Sequence, residues 1–491
     1  MSPFLLLLRR LLRRGVLTGV TAGLVLVAAA LLGPHRALAQ GFGFYEQGTC
    51  VMGRAGATVA APCDDGSAVF FNPAGLVGAQ EITLTGGVTV LFADGAFRDD
   101  RTRTATDLTN DAIPIPHLYL RYGLNERIAV GIGGYVPYGL ATEWPIDFSG
   151  RFVGYDNRLQ SIYIQPTAAA RLTDRLTVGG GLTVVIGSVE LNQRLDLADQ
   201  PVPFTVPTSI VPASVPRPLT FGQFGVPPRT DFASTTLDAD GAVGIGANLG
   251  AQYRATEWLT LGARYMLPVT LNYDGEARFR PVSTGLRVPG TLDLGTVTLP
   301  AGTSIDALLA PQFQSGGLLV DQDVETEITM PAQLAVGVQV KPLPLLALYA
   351  DYQWVDWSSF DRISLNFEQE ALDSERIENF EDSHALRLGG DLFLTPTLTL
   401  RGGYIRHGPA APDDAVTPLL PDGTRNEITV GFSWRLLETA ELSVAYQYLQ
   451  QNDRRGRVQD PPPGQDPTDD LNSGIYEFGA HLAAASVTLH F

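Results

Sequence analysis

The chain has 491 residues, of which 45% are hydrophobic and only 18% are charged. Acidic residues outnumber basic ones, and the resulting net charge of −18 excludes a protein that follows nucleic-acid phosphates. The six histidines are scattered and two cysteines cannot complete a metal site, so we expect no metal, no cofactor and no enzymatic centre.

Residues 1–39 have the pattern of a signal peptide. Four arginines between positions 9 and 14 are followed by an apolar run over 16–32 and by a small-x-small cleavage motif at 37–39. An N-terminal membrane anchor is the alternative, but the run is short for a span of about 20 residues. Export permits a disulfide between Cys50 and Cys63, with two free buried thiols as the alternative.

Residues 40–79 form a Gly- and Ala-rich segment, which carries the motif Asn72-Pro73-Ala74 near its end. The segment is too rich in small residues to build a core of its own. We therefore expect it to fold against the larger remainder of the chain.

Residues 80–491 contain fourteen strand-like segments. Six of the connections between them are tight, and seven are long and polar or Pro-rich, which is typical of an up-and-down outer-membrane barrel. The segments cover 80–98, 111–123, 126–139, 157–173, 175–192, 240–256, 258–274, 324–341, 344–361, 382–395, 397–406, 424–437, 440–451 and 475–491.

The last segment illustrates the two faces of such a strand. Ala483, Ala485, Val487, Leu489 and Phe491 share one face, and small or polar residues share the other. An open edge in lipid leaves backbone groups unpaired, so the sheet must close, and fourteen is an even number. The fold class is therefore all-β, a 14-stranded antiparallel transmembrane β-barrel. The terminal Phe491 resembles the signal that the outer-membrane assembly machinery reads.

Several motifs resemble those of the long-chain fatty-acid transporter (FadL) family of outer-membrane proteins, which includes toluene-uptake relatives. The resemblance covers the whole mature chain. It is carried by Glu46-Gln47, Gly53-Arg54-Ala55, Asp64-Asp65, Phe70 to Leu76, Gly131 to Trp144, Tyr163 to Pro166 and Asp351 to Phe360.

The resemblance implies that residues 40–79 form a hatch that plugs the barrel, with Asn72, Pro73 and Ala74 in a gating role. It also implies passive uptake, with lateral exit through a kinked third strand. Gly133 and Gly134 weaken a strand and Pro137 removes a ladder donor, so the residues themselves favour a kink there. The alternative is an ordinary bulge near the rim. We expect the Asn72-Pro73-Ala74 turn to hold the hatch beside this exit.

The two longest outer loops are 193–239 and 275–323. In the family the corresponding loops form a groove that captures ligand, although the Pro content here departs from the usual helical loop. A compact cap over the barrel mouth is the alternative. The apolar residues that we assign to capture are Phe204, Phe221, Phe224, Leu308 and Leu309.

Two arginines near the barrel mouth, Arg151 and Arg194, are candidates for binding a ligand carboxylate, unless they only pair with acidic neighbours. The acidic run from Glu368 to Asp382 is a candidate Ca²⁺ site, with a solvated loop as the favoured alternative. We expect a monomer in the outer membrane of a Gram-negative bacterium that contacts membrane lipid and takes up hydrophobic molecules, long-chain fatty acids foremost. The alternatives are uptake of aromatic hydrocarbons and a plugged structural or adhesive barrel.

Overall fold

A computed structural model describes residues 42–203, 218–293, 298–456 and 473–491. The predicted signal peptide and the proposed capture residue Phe204 lie outside these residues. Within the described ranges, no α-helix reaches the length and apolar character that a membrane crossing requires.

The described residues form mostly β-strands. In chain order these are β1 (Ile82–Asp99), β2 (Ala105–Asp107), β3 (Ile113–Asn125), β4 (Ile128–Glu143), β5 (Asp156–Arg171), β6 (Leu176–Asp196), β7 (Asp231–Arg254), β8 (Leu259–Met266), β9 (Val269–Pro281), β10 (Leu292–Asp293), β11 (Thr298–Leu299), β12 (Gln322–Met330), β13 (Gln333–Leu343), β14 (Leu346–Val355), β15 (Arg362–Phe367), β16 (Ser374–Ile377), β17 (Ser383–Thr395), β18 (Leu398–His407), β19 (Arg425–Leu437), β20 (Ala440–Gln451), β21 (Arg454–Arg455) and β22 (Gly474–His490).

Helices are short. The α-helices in the described part of the chain are α1 (Thr49–Gly53), α2 (Ala68–Phe71) and α3 (Ile305–Leu309). Short 3₁₀ segments are Pro73–Leu76, Gly222–Phe224, Ala310–Phe313, Trp357–Ser359, Glu370–Leu372 and Asp413–Ala415.

The sheet closes into a barrel because β1 pairs antiparallel with β3 on one side and with β22 on the other. At the seam, the Phe491 N–H donates to the Ile82 carbonyl at 2.9 Å. β8 and β9 together make one wall strand, and β12 and β13 make another, which gives fourteen wall strands within the described residues. The predicted antiparallel barrel of fourteen strands is thus confirmed.

Three of the predicted strands differ clearly from the observed ones. β7 begins at Asp231, nine residues before the predicted start at 240, because its first half carries Ser, Thr and Asp and lacks the apolar alternation of a lipid-facing strand. The wall strand formed by β8 and β9 is interrupted at Leu267-Pro268, and its neighbour formed by β12 and β13 is interrupted at Pro331-Ala332. Proline lacks the N–H that the ladder requires, so both interruptions have the same cause.

Residues 42–76, which we call the hatch, lie inside the barrel. Nearly all of their side chains are buried, Val51, Phe70 and Leu76 completely so. The hatch and the inward-facing side chains of the wall share one hydrophobic cluster. A segment that has too few large side chains for its own core therefore packs against the wall around it.

Candidate functional site

Inward-facing polar side chains of the wall bind the backbone of the hatch. One carboxylate oxygen of Asp351 on β14 accepts the N–H groups of Thr58 and Val59 at 2.6 and 2.8 Å. On another side of the barrel, the Asn248 amide on β7 donates to the Phe70 carbonyl at 2.8 Å. Buried backbone groups need such partners, so the wall fixes the hatch at separate points around the lumen.

A buried ion pair fixes the middle of the hatch. The Arg54 guanidinium lies 3.6 Å from Asp391 on β17 and 4.4 Å above the ring of Tyr349, and Arg401 lies 3.5 Å from the same carboxylate. Burial lowers the pKa of the Arg54 guanidinium, but Asp391 and other acidic groups raise it, and the net direction is upward. The charged form therefore persists, and breaking this pair would leave an uncompensated buried charge.

Cys50 and Cys63 are joined by a disulfide, and both residues are buried in the hatch. The bridge connects α1 to the loop that precedes α2. The Arg54 guanidinium donates to the sulfur of Cys63 at 2.7 Å. The covalent link and the ion pair thus act on the same stretch of the hatch.

Replacing both cysteines by serine is expected to loosen the hatch. The bridge spans 13 residues, and in the chain-entropy model a loop of about this size gives roughly 3 kcal/mol. Amide hydrogen exchange of the hatch in detergent should then be faster than in the wild type, while exchange in β20 should not change. Equal hatch exchange in both proteins would contradict this expectation.

The Asn72-Pro73-Ala74 turn lies against β6 and β7. The Asn72 amide donates to the carbonyls of Val59 and Ala251, and its oxygen accepts the Ala74 N–H at 3.1 Å. A Cβ at Gly179 would overlap Pro73, and one at Gly250 would overlap Asn72. The turn is thus seated on a pair of wall glycines on β6 and β7, and its place beside the exit stays a prediction.

Gly133, Gly134 and Pro137 lie in β4, where the strand changes register. Pairing of β4 with β5 shifts between Tyr135 and Tyr138, and one extra residue stands on the β4 side. Gly134 is the last residue of β4 that pairs with β3, opposite Leu118. The kink therefore separates β4 from one neighbour while it stays paired with the other.

A window opens in the wall above this point. No β3–β4 ladder pair joins Ile113–His117 to the part of β4 beyond Gly134 within the described residues, although β3 stays paired with β1. Higher up, the Thr109 N–H donates to the Glu143 carbonyl at 2.8 Å and closes the window. Pro114 and Pro116 lie in the free stretch of β3 and have no N–H that could be left unpaired in lipid.

The start of the hatch occupies this free edge of β4 from inside. The Phe44 N–H donates to the Pro137 carbonyl, and the Gly139 N–H donates to the Phe42 carbonyl, both at 2.7 Å. The Gln47 side chain accepts the Val136 N–H at 3.0 Å and donates to the Val136 carbonyl at 2.6 Å. We call residues 42–47 the strap, because they supply the hydrogen bonds that β3 does not make.

A cavity with a volume of about 490 Å³ lies in the outer half of the lumen. Its walls are mainly apolar, which suits a hydrophobic molecule. The apolar lining residues are Phe42, Leu140, Leu159, Val189, Leu191, Leu237, Ala239, Val324, Ile328, Phe360, Ile363, Leu365, Ile377, Leu419 and Leu420.

Phe42 belongs both to the lining of this cavity and to the edge of the window. Its ring lies 4.7 Å from Trp357 and 5.2 Å from Phe360, edge to face in both cases, and 6.2 Å from Tyr138 on β4. Only 2% of Phe42 is exposed. One side chain of the strap thus forms part of the cavity lining, while the strap backbone is bonded to the window edge.

The charged side chains that line the cavity are already engaged. Arg158 lies 3.3 Å from Asp156 and 3.6 Å from Glu190. Arg376 donates to the Val153 carbonyl at 3.3 Å. Beside these two guanidinium groups, the described lining holds four carboxylates, those of Glu190, Asp238, Glu375 and Glu378.

Arg151 and Arg194 lie outside this cavity lining. Arg151 pairs with Asp231 at 2.8 Å, and Arg194 approaches the same carboxylate at 4.0 Å. Arg151 also donates to the Phe148 carbonyl. Both arginines therefore stabilise the start of β7, and their role toward a ligand carboxylate stays a prediction.

A smaller cavity of about 180 Å³ lies between the two long outer loops. Phe221, Phe224 and Leu308 line it, whereas Leu309 packs into the neighbouring hydrophobic cluster. The loops thus bring three of the assigned capture residues together. In the acidic run from Glu368 to Asp382, no three carboxylates of the described residues converge as a metal site requires.

Sequence reasoning did not identify the strap or the free stretch of β3. Glu46-Gln47 was recognised as a motif, but its contact with Val136 spans 89 residues and leaves no local pattern. The signal for the window was present as Ile113-Pro114-Ile115-Pro116, in which two prolines alternate within a strand. Such a pattern marks a strand that lacks one partner.

Comparison with known proteins gives a consistent result. The sequence model of the family described as "Outer membrane protein transport protein (OMPP1/FadL/TodX)" matches residues 30–491. Outer membrane protein P1 of Haemophilus influenzae is 24% identical over 447 residues, which cover 87% of this chain and 89% of that protein.

Two further similarities extend the comparison. A long-chain fatty acid transport protein of Escherichia coli O6:H1 is 23% identical over 435 residues, which cover 87% of this chain and 91% of that protein. The crystal structure of a Pseudomonas aeruginosa FadL homologue superposes with a TM-score of 0.71 at 18% identity, covering 93% of this chain and 98% of that one. This structural similarity concerns the fold.

Proposed function

Since the chain belongs to the OMPP1/FadL/TodX family of outer-membrane transport proteins, we propose that it takes up hydrophobic molecules through the side of its barrel. The family transports hydrophobic small molecules across the outer membrane, and this protein is an outer-membrane β-barrel. The finer proposal is a route: capture between the outer loops, storage in the lumen and lateral exit at β4.

One observation carries the lateral route: Phe42 lines an apolar cavity of about 490 Å³ and is also bonded to β4 at the window in the wall. An apolar molecule that leaves through the wall stays in apolar surroundings throughout. Exposing it to water would lose about 0.8 kcal/mol for each CH₂ group. Movement of the strap would join cavity and window without displacing the rest of the hatch.

The anchoring of the hatch supports the same route. A straight path to the periplasm would require the buried pair of Arg54 and Asp391 and the bonds from Asp351 to break together. Breaking a buried ion pair costs about 3–5 kcal/mol. The strap is attached to β4 by neutral hydrogen bonds, each contributing about 0.5–1.5 kcal/mol, and is the easier part to move.

The proposed substrates are long-chain fatty acids, in keeping with an apolar cavity of this volume. A second candidate, a neutral aromatic hydrocarbon, is favoured by the charges at the cavity. Both guanidinium groups of its described lining are already engaged, so the lining offers no ready cation to a carboxylate headgroup. A fatty acid would therefore place its headgroup away from Glu190 and Glu375.

Mild extraction followed by mass spectrometry of the co-purified ligand tests this function. We expect a bound hydrophobic molecule, and we expect cells that carry the protein to take up labelled oleate or toluene faster than cells that lack it. Preference for one label assigns the substrate class. Failure of both labels to enter faster would contradict transport and leave the structural or adhesive barrel.

A further inference from the structure

A third cavity, of about 190 Å³, lies at the opposite end of the lumen, on the side of the tight turns. In outer-membrane barrels this side faces the periplasm. The cavity is bounded by the hatch at Ala60, Ala61, Pro62 and Gly75, and by the ends of β5, β6, β7, β8 and β13. Its lining from the wall is Arg171, Asp174, Arg175, Thr177, Gln252, Arg254, Thr260 and Gln339.

Two of the three arginines of this cavity, Arg171 and Arg254, share the inward face of the wall. Arg171 pairs in register with Thr177, and Thr177 pairs with Gln252. Gln252 donates to the Ala60 carbonyl of the hatch at 3.0 Å, which identifies this face as the lumenal one. Arg254 lies two residues beyond Gln252 on β7, so strand alternation places it on the same face. Arg175 lies in the turn before β6, and both Arg175 and Arg254 are exposed at the rim of the cavity.

None of these three guanidinium groups has an ion pair or a side-chain hydrogen bond to any described residue, although other arginines of the wall do. Arg121, which is also lumenal, donates to the carbonyls of Leu76 and Ala79. The one carboxylate in the lining, Asp174, is 96% exposed and lies 3.9 Å from Arg127. A chain of net charge −18 thus places three unused cations in one concave site.

Adjacent guanidinium groups repel one another unless an anion lies between them. Each presents a planar fork of N–H donors that matches a phosphate or carboxylate in two-point fashion. Three such forks around a cavity of this volume favour a compact anion with several oxygens over a hydrophobic molecule.

We propose that Arg171, Arg175 and Arg254 form a binding site for a phosphate group at the periplasmic mouth. The phosphate has two sources, free phosphate in the periplasm and the headgroup of a lipid in the inner leaflet. The lumenal face of Arg171 and Arg254 favours the free anion. Binding would join three wall strands next to the Ala60–Pro62 stretch of the hatch, independently of the transport route.

Phosphorus NMR of the full mature protein in detergent tests the site with inorganic phosphate as the probe. The wild type should broaden the phosphate signal, and R171Q/R175Q/R254Q should weaken binding by about tenfold or more, as expected for the loss of charge-assisted bonds. The matched control is R278Q/R280Q/R362Q, which removes three arginines that already pair with Asp238, Asp321 and Glu375 and should leave binding unchanged.

A second arm uses short-chain phosphatidylglycerol in place of inorganic phosphate. Tighter binding of inorganic phosphate assigns the free anion, and tighter binding of the lipid assigns the headgroup. Equal binding by the wild type and R171Q/R175Q/R254Q, or an equal loss in the control variant, would overturn the site. Slower migration on heating shows that each variant is a folded barrel, so a negative result cannot come from misfolding.

Discussion

Deletion of Pro137 is expected to stop uptake while ligand binding persists. The deletion removes the one extra residue between Tyr135 and Tyr138 and lets β4 pair with β5 without a register shift. A straight β4 can then lie against the free stretch of β3 beyond Gly134 and close the window, with hydrogen bonds donated from β4 alone because Pro114 and Pro116 have no N–H. Unpaired backbone groups in lipid cost several kcal/mol each, and about 1.4 kcal/mol is a factor of ten, so uptake should fall by more than about tenfold.

Uptake of labelled oleate or toluene by cells measures the first half of this prediction, and ligand binding to purified protein measures the second. Pro137→Val is the matched control, because it restores the N–H but keeps the extra residue and the kink. Undiminished uptake by a correctly assembled deletion variant would reject the lateral route. The kink would then be a rim bulge.

Phe42→Ala is expected to have the opposite effect, a barrel that leaks hydrophobic molecules. The ring packs against Trp357, Phe360 and Tyr138, and truncating a buried phenylalanine costs about 3–5 kcal/mol. If most of this packing free energy holds the strap on β4, the population of molecules with a detached strap rises by about a hundredfold or more. Cells should become more sensitive to a hydrophobic antibiotic, and uptake should lose selectivity.

The matched control for this variant is Phe92→Ala. Phe92 lies on β1 and is 49% exposed, so its truncation removes an aromatic ring without touching the strap. The minimum inhibitory concentration of the antibiotic should drop for Phe42→Ala alone. Equal concentrations for both variants, at equal amounts of protein in the membrane, would show that Phe42 does not hold the strap closed.

The barrel followed from the sequence because a strand in lipid must alternate, and alternation is a local pattern. The strand prediction was wrong where a strand need not alternate, as in the polar first half of β7. The partners of individual side chains were beyond sequence reasoning. Arg151 was assigned to a ligand carboxylate, yet Asp231, 80 residues away, already occupies it.

The candidate site likewise contains residues that the sequence predicted and residues that it did not. The kink residues Gly133, Gly134 and Pro137 were found because glycine and proline change backbone geometry wherever they occur. The strap was missed because Gln47 acts through its amide, in contact with a strand that the sequence does not place beside it. The seat of Asn72 on Gly250 was missed for a related reason, since a wall glycine gives no sign of what fills its space.

The two prolines of β3 have a consequence for how this protein coexists with others in its membrane. A strand edge with free donors and acceptors is a template on which another chain can add a strand. The exposed edge at the window would be such a template during assembly, when unfinished barrels are nearby. Pro114 and Pro116 offer no donors there, so the edge is a poor template for a foreign strand. The barrel can therefore keep a window in its wall without promoting aggregation.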